Sequence, residues 1–406
     1  MSQTPQTPLP PLAGVRVLDL TRLLPGGYAS QMLADLGADV LKIEEPGAGD
    51  YARAMPPFTR TVGQAFLAVN RNKRSAALNL KHPDGREALL RLVDSSDVLL
   101  ESFRPGVMAR LGLDYETLHA RNPRLVVCAI SGYGQDGPYN QRAGHDLNYI
   151  GYAGLLAHLA RPGQPPILPG AQFADIAGGS LMAVAGILAG LVGRAATGEG
   201  RYIDVSMTEG ALSLLPLLAT RVLNGTPEPA PGEAELTGAL PGYNIYETSD
   251  GRYLTVAALE PKFFANLCQR LGRPDLIARQ FPSDATDRDA TIAELAAIFR
   301  AKTRDDWLAE LADEDVCVGP ANTISEALAD PQLRARGMTA HGSYGAAEGE
   351  GDALRYTPLV SDAPFTLRSG LPPLGADTAA ALQEAGYTAD EIATLAEAGA
   401  IALGDA

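Results

Sequence analysis

A chain of 406 residues with 33 lysines and arginines against 48 aspartates and glutamates carries a formal net charge of -15, which leaves no basic field for a phosphate backbone and excludes a general nucleic-acid binder. The length exceeds what one hydrophobic core usually fills, and 46% hydrophobic with 20% charged residues is a globular balance, so two domains or one elaborated domain are expected. Cys128, Cys268 and Cys317 lie far apart without metal or disulfide spacing, fit a reducing compartment, and read as small core residues.

Residues 1–11 read as a flexible, proline-rich lead-in without the basic and apolar regions of a signal peptide. The closing Gly404-Asp405-Ala406 is no peroxisomal address, so a cytoplasmic location is expected. A buried strand over 15–20, a Pro25-Gly26-Gly27 turn, a helix over about 28–36 and a strand over 39–44 form a βαβ unit, which implies a parallel sheet. The first turn lacks G-x-G-x-x-G, so a nicotinamide site is discounted despite Glu44 at the end of the second strand. Strands over 76–80, 98–100 and 125–130 alternate with a helix over 83–93, marking a Rossmann-like, doubly wound α/β layer. Its ligand crevice belongs at the carboxyl ends of the strands, where Glu44, Arg104 and the glycine-rich loop 131–138 fall.

That loop leads into Ala143-Gly144-His145-Asp146, an imidazole flanked by a glycine and a carboxylate. Asp175 precedes Gly178-Gly179 and an apolar helix over about 180–191, placing it near a helix N-terminus where negative charge is favoured. The apolar run 181–192 is too short to span a bilayer and reads as a buried helix. A strand over 202–206 and an apolar helix through Leu214-Leu215-Pro216 follow, and 224–236 reads as a linker between a large domain (1–223) and a small α+β domain (237–328). The small domain holds a hairpin of strands 243–247 and 253–257 turned at Asp250-Gly251, then helices over about 262–271, 290–301 and 304–311. Glu260 follows the second strand, and Trp307 reads as core. Residues 329–406 return to complete the large domain and end in a helix opened by a Thr388–Glu391 capping box. His82, His119, His158 and His341 read as surface or packing residues.

Several blocks resemble the class III CoA-transferase (CaiB/BaiF) superfamily, and within it the α-methylacyl-CoA racemases. They are 11–20, Ala34-Asp35-Leu36-Gly37-Ala38-Asp39-Val40, Arg71-Asn72-Lys73-Arg74-Ser75, Phe103-Arg104-Pro105-Gly106-Val107, Gly319-Pro320-Ala321-Asn322, Asp330-Pro331-Gln332-Leu333, Arg336-Gly337-Met338 and Pro373-Leu374-Gly375. The resemblance implies an interlocked homodimer acting on an acyl-CoA thioester, with no metal or organic cofactor and no nucleic-acid or membrane partner. In such racemases a Gly-His-Asp segment supplies one base, an aspartate before a Gly-Gly helix start the other, and a small-domain glutamate hydrogen-bonds the histidine. Here these are similar to His145, Asp175 and Glu260, with Asp146 and Tyr243 at supporting positions.

Transferases of the superfamily keep only the aspartate, as a nucleophile. For CoA the resemblance points to the first domain, where Arg71, Lys73, Arg74, Arg104 and Arg110 have the chemistry to pair with phosphates. The pantetheine arm then runs toward a cleft between the domains. Asp377 departs from the pattern, since relatives often carry histidine there.

Inverting a carbon next to a thioester carbonyl takes a base on one face, an acid on the other and a donor for the enolate oxygen. A neutral His145, an ionised Asp175 and a backbone N–H at the helix start beside Asp175 are expected to fill these parts, with Glu260 fixing the imidazole tautomer. The rival expectations are a CoA-transferase that forms an anhydride on Asp175 and a non-catalytic acyl-CoA binder.

Overall fold

A computed structural model describes residues 9–312, 314–361 and 363–404; most of the expected lead-in, residues 1–8, lies outside them. The chain divides into two compact units. The first takes in the chain up to Ala153, Gly170–Leu215 and Arg334 onward; the second is Gly154–Pro169 with Pro216–Leu333. The smaller unit thus begins ahead of the expected linker and takes a segment from inside the expected large domain. The break falls where one apolar helix was expected through Leu214-Leu215-Pro216. Two helices form instead, Met207–Ser213 and Pro216–Leu223, because proline disfavours helical backbone at the residue before it and donates no N–H.

In the larger unit the chain runs β1 (Arg16–Asp19), α1 (Leu23–Asp35), β2 (Asp39–Glu44), β3 (Arg74–Leu78), α2 (Pro83–Val93), β4 (Val98–Glu101), β5 (Val126–Ser131), α3 (Asp146–Tyr152), α4 (Met182–Thr197), β6 (Tyr202–Ser206) and α5 (Met207–Ser213). The six strands are parallel in the order β3-β2-β1-β4-β5-β6. Near-continuous apolar runs such as Val98-Leu99-Leu100 suit strands covered on both faces, and Leu18, Leu41, Leu99 and Val127 pack with Ala88, Leu89 and Leu92 of α2 in one core. The Pro25-Gly26-Gly27 turn expected before α1 lies inside its first turns. Proline is tolerated there because the first N–H groups of a helix have no intrahelical partner.

A wider helix of nine residues, Phe173–Leu181, runs directly into α4. Together they make a 25-residue helix, long and apolar enough by length and composition to cross a membrane, with 39% of its most apolar stretch buried. The expected short, buried helix is corrected on both counts. One face packs on the sheet: a Cβ on Gly186 would meet Ile203 at 2.8 Å, and one on Gly190 would meet Val126 at 2.9 Å. The other face leaves Leu181, Met182 and Val192 exposed.

The smaller unit holds β7 (Tyr243–Glu247), β8 (Tyr253–Ala257), α6 (Pro261–Arg270), α7 (Ala285–Phe299), α8 (Arg304–Leu311) and β9 (Val318–Pro320). Its sheet is antiparallel in the order β7-β8-β9, with Tyr243 opposite Ala257. Tyr246, Leu254, Phe264, Leu295, Phe299 and Trp307 form its core, and the Trp307 indole donates to Phe299 O at 2.8 Å. Cys128 and Cys268 are buried as expected, but Cys317 is exposed.

The returning segment carries a hairpin (Thr339–Ser343 and Glu350–Leu354), α9 (Thr378–Glu384), α10 (Ala389–Glu397) and β10 (Ile401–Ala402), which adds antiparallel to the outer edge of β3. Thr388 and Glu391 form the expected capping box. Asp377 grips β3, its carboxylate accepting the Ser75 N–H at 2.9 Å and its own N–H reaching Ser75 O at 2.8 Å.

Candidate active site

The strand order reverses between β1 and β4, the position at which a doubly wound sheet opens a crevice. The loops leaving β1, β4 and β5 line a cleft of about 790 Å³ there, with Arg22 to Pro25 on one wall, Ser102 to Pro105 on another and Ser131 to Tyr133 on a third. Arg104 and the loop after β5 lie where strand-end reasoning put them. Glu44 does not line this cleft; its carboxylate is bound by Arg53 at 2.7 Å and Ser75 at 2.6 Å.

His145 and Asp175 both line the cleft. His145 is the exposed residue ahead of α3, with its N–H held by Asn148 Oδ1 at 3.1 Å. The following residue, Asp146, is buried, and its Oδ1 accepts from the N–H groups of Ala174 at 2.7 Å and Asp175 at 3.0 Å. One carboxylate therefore ties the start of α3 to the helical turn that carries Asp175. Ser180 secures that turn from the other side, its hydroxyl 2.9 Å from Asp175 O and 2.6 Å from Pro25 O at the start of α1. Wide helical turns of this kind recur at functional sites.

Burial, reinforced by the charge of Asp146, pushes the Asp175 carboxyl up to about 7. The expectation of a fully ionised aspartate is corrected: both forms exist at neutral pH. Three backbone N–H groups at the helix start beside Asp175 are already committed: those of Ala174 and Asp175 serve Asp146, and that of Ile176 serves Gln172 O. Tyr149 stands over the site, donating to Gly144 O at 2.5 Å, its hydroxyl pushed up to about 12 by burial and the Asp175 charge. Glycine is needed beneath that ring, since a Cβ on Gly132 or Gly144 would meet Tyr149 at 2.5 or 2.7 Å.

Glu260 and Tyr243 belong to the smaller unit. Glu260 is exposed and precedes α6 without capping it; Tyr243, half-buried, opens β7. Among the described residues, no group of three or more histidine, cysteine, aspartate or glutamate side chains is placed to hold a metal ion.

The sequence matches the model for CoA-transferase family III over residues 12–378. The chain belongs to CoA-transferase family III. It is 35% identical to human alpha-methylacyl-CoA racemase over 384 residues, covering 94% of this chain and 95% of that protein. It is equally 35% identical to human succinyl-CoA:glutarate CoA-transferase over 393 residues, covering 94% and 87%. The crystal structure of a CAIB/BAIF family protein from Brucella suis superposes with a TM-score of 0.79 at 35% identity, covering 93% of this chain and all of that one.

In this family III chain the basic residues expected to meet phosphates separate into two groups. Arg104 and Arg110 are exposed and line the cleft. Arg71 and Lys73 do not reach it. Arg71 is 1% exposed, with its guanidinium 2.7 Å from Asp35 and 2.6 Å from Leu354 O, beside the rings of Tyr356 and Phe365. Lys73 is buried among Asp19, Ser30, Asn70 and Gly27 O. Arg74, half-buried, is bound by Asp39 and Glu384.

The Arg71-Asn72-Lys73 motif is a structural clamp: Asn72 also accepts the N–H groups of Arg368 and Ser369 from the returning segment. Sequence reasoning took a dense basic cluster for a ligand site, whereas buried acids at Asp19 and Asp35 neutralise it. It missed Arg22 and Arg142, which line the cleft with Tyr133 and Tyr149. Arg22 carried a readable signal, following β1 at the carboxyl edge of the sheet.

Proposed function

We propose that this chain is an acyl-CoA racemase that inverts the carbon next to the thioester of a 2-methylacyl-CoA. The observation that carries the reading is that His145 and Asp175, two groups able to give or take a proton, line one cleft, with the Asp175 carboxyl balanced near 7. One of them removes the α-proton as the thioester becomes an enolate, and the other, protonated, returns a proton to the opposite face. Handedness of the substrate decides which acts first. Glu260 is the carboxylate proposed to fix the imidazole.

The CoA nucleotide fits the same edge of the sheet. An adjoining pocket of about 220 Å³, walled by Leu20, Ile43, Leu78 and Leu111, shares Arg22, Phe103 and Val107 with the main cleft. Its apolar walls suit adenine, while Arg104 and Arg110 suit the phosphates. A second copy of the chain is proposed to cover the exposed apolar residues of α4; a sedimentation mass of 42.5 kDa in place of twice that value would refute the dimer.

One comparison favours a second reading: the chain is as similar, at 35% identity, to a CoA-transferase as to a racemase. In a CoA-transferase the Asp175 carboxylate attacks the thioester carbonyl and expels CoA thiolate, giving a mixed anhydride.

Incubating the protein with a 2-methylacyl-CoA of one handedness in deuterated water separates the readings. Deuterium uptake with loss of chirality, abolished by His145→Ala, supports the racemase. CoA transfer to a free carboxylic acid without α-exchange would replace it with the transferase, and binding without either reaction would leave an acyl-CoA binder.

A further inference from the structure

His145 is exposed, so the direction of its imidazole is set by the peptides on either side of it. The residue before it is the one least able to hold a direction. Gly144 has no Cβ to restrict its backbone, and glycine loses more freedom on ordering than any other residue. Bulk cannot supply the restraint, because a Cβ there would meet the Tyr149 ring at 2.7 Å and the Tyr133 hydroxyl at 2.9 Å.

Hydrogen bonds supply it instead, from two consecutive residues of α3. The peptide joining Gly144 to His145 is held at both ends. Its N–H is taken by Asn148 Oδ1 at 3.1 Å, and its carbonyl accepts the Tyr149 hydroxyl at 2.5 Å. The carbonyl of His145 accepts the N–H groups of Asn148 at 2.8 Å and Tyr149 at 3.2 Å. Side chains on a helix lean toward its N-terminus and cover the preceding turn. The Tyr149 ring therefore lies back over the start of α3, and its hydroxyl reaches the fifth residue before it.

The ring is itself fixed. Tyr149 is 7% exposed, Gly132 leaves it room, and Tyr133 packs edge-on against it at 5.2 Å. A phenol has one hydrogen to donate, and here it goes to the backbone. We infer that Tyr149 is a positioning residue for His145, its hydroxyl fixing the peptide from which the imidazole projects into the cleft. The inference rests on the racemase reading above, in which His145 transfers the proton, and adds the group that aims it.

Tyr149→Phe removes the hydroxyl and keeps the ring, and urea unfolding checks that the fold is retained. The variant should lower kcat for α-deuterium exchange by about 10- to 100-fold, the scale of a misplaced reacting group. KM should stay within about twofold, because no contact with substrate is lost. Imidazole spectra of protein labelled with 15N-histidine report on the aim directly. The chain has five histidines, and His145→Ala identifies the signals of His145. In Tyr149→Phe those signals should move or broaden while the other four histidines stay in place.

A kcat within about twofold of wild type overturns the inference. A large fall in kcat with the His145 signals unmoved overturns it too, since the hydroxyl would then act on the substrate itself. Failure of the racemase reading looks different: wild type exchanges the α-proton of neither hand. The histidine spectra still decide in that case whether Tyr149 holds His145.

Discussion

Asp146 holds Asp175 by the backbone and opposes it by charge. Its Oδ1 accepts the Asp175 N–H at 3.0 Å, and its negative charge adds to burial in keeping the Asp175 proton bound up to about pH 7. The same group therefore sets where the Asp175 carboxyl sits and how readily it ionises. A carboxyl tuned to the working pH serves equally as acid and as base.

The two substrate hands should share one pH profile, because the equilibrium constant for inversion does not vary with pH and fixes the ratio of their kcat/KM values. Asp175 and the second base exchange a single proton, so kcat/KM for either hand should bend near pH 7. Initial rates on each pure enantiomer from pH 5 to about 9 check this. Profiles without an inflection near 7 would remove Asp175 from the proton transfer. Stability follows the same proton: the native state keeps it while an unfolded carboxyl, with its ordinary value of 3.8, has released it. Wild type should lose stability relative to Asp175→Asn as pH rises from about 4 to about 7.

Asp146→Asn keeps an acceptor oxygen for the two amides and removes the charge. The inflection assigned to Asp175 should move to lower pH with the fold intact. Asp146→Ala removes the acceptor as well, leaving two N–H groups unsatisfied at a cost of about 1–3 kcal/mol. Urea unfolding of both variants, with the pH profile of the first, distinguishes the two contributions. An unmoved inflection in Asp146→Asn would show that burial alone sets it.

Arg71 and Arg104 should fail in different assays. Arg71→Gln strands the buried Asp35 carboxylate and should cost about 3–5 kcal/mol of stability; Lys73→Met should cost less, because Asp19 keeps the Lys42 charge and the hydroxyls of Thr21 and Ser30. Arg104→Gln should leave stability near wild type and weaken CoA binding by about 10- to 100-fold. Calorimetric titration with CoA beside urea unfolding resolves the pair. Loss of CoA affinity in a folded Arg71→Gln protein would return that residue to the ligand site.

The α/β alternation and the hairpin at Asp250-Gly251 were legible because period and turn chemistry are local. So was the place of the cleft, since strand ends follow from the βαβ pattern once the sheet is parallel. His145, Asp146 and Asp175 were legible only through the family resemblance. Nothing local in Gln172-Phe173-Ala174-Asp175 announces that two of its amides are bound by a carboxylate 28 and 29 residues away. The same limit explains Arg71 and Lys73: a basic cluster looks like a ligand site until the acids that neutralise it, Asp19 and Asp35, fold against it. Arg142 had no signal of its own, because its place depends on Tyr139 and Tyr152, which hold its guanidinium.

The edge strand β10 occupies residues 401–402, and the peptide groups that close over Arg71 and Asn72 come from Leu354 to Ser369. Both partners, the outer edge of β3 and the buried guanidinium, are made more than 280 residues earlier. During synthesis the first half of the large unit must therefore wait, with an unpaired strand edge and an uncovered cation, until the ribosome has delivered residues 354 to 402. The smaller unit ends at Leu333 and is complete before that wait ends. Chaperone capture of the nascent chain should accordingly concentrate on the segment from β1 to β3, whose exposed edge is the natural target for mispairing.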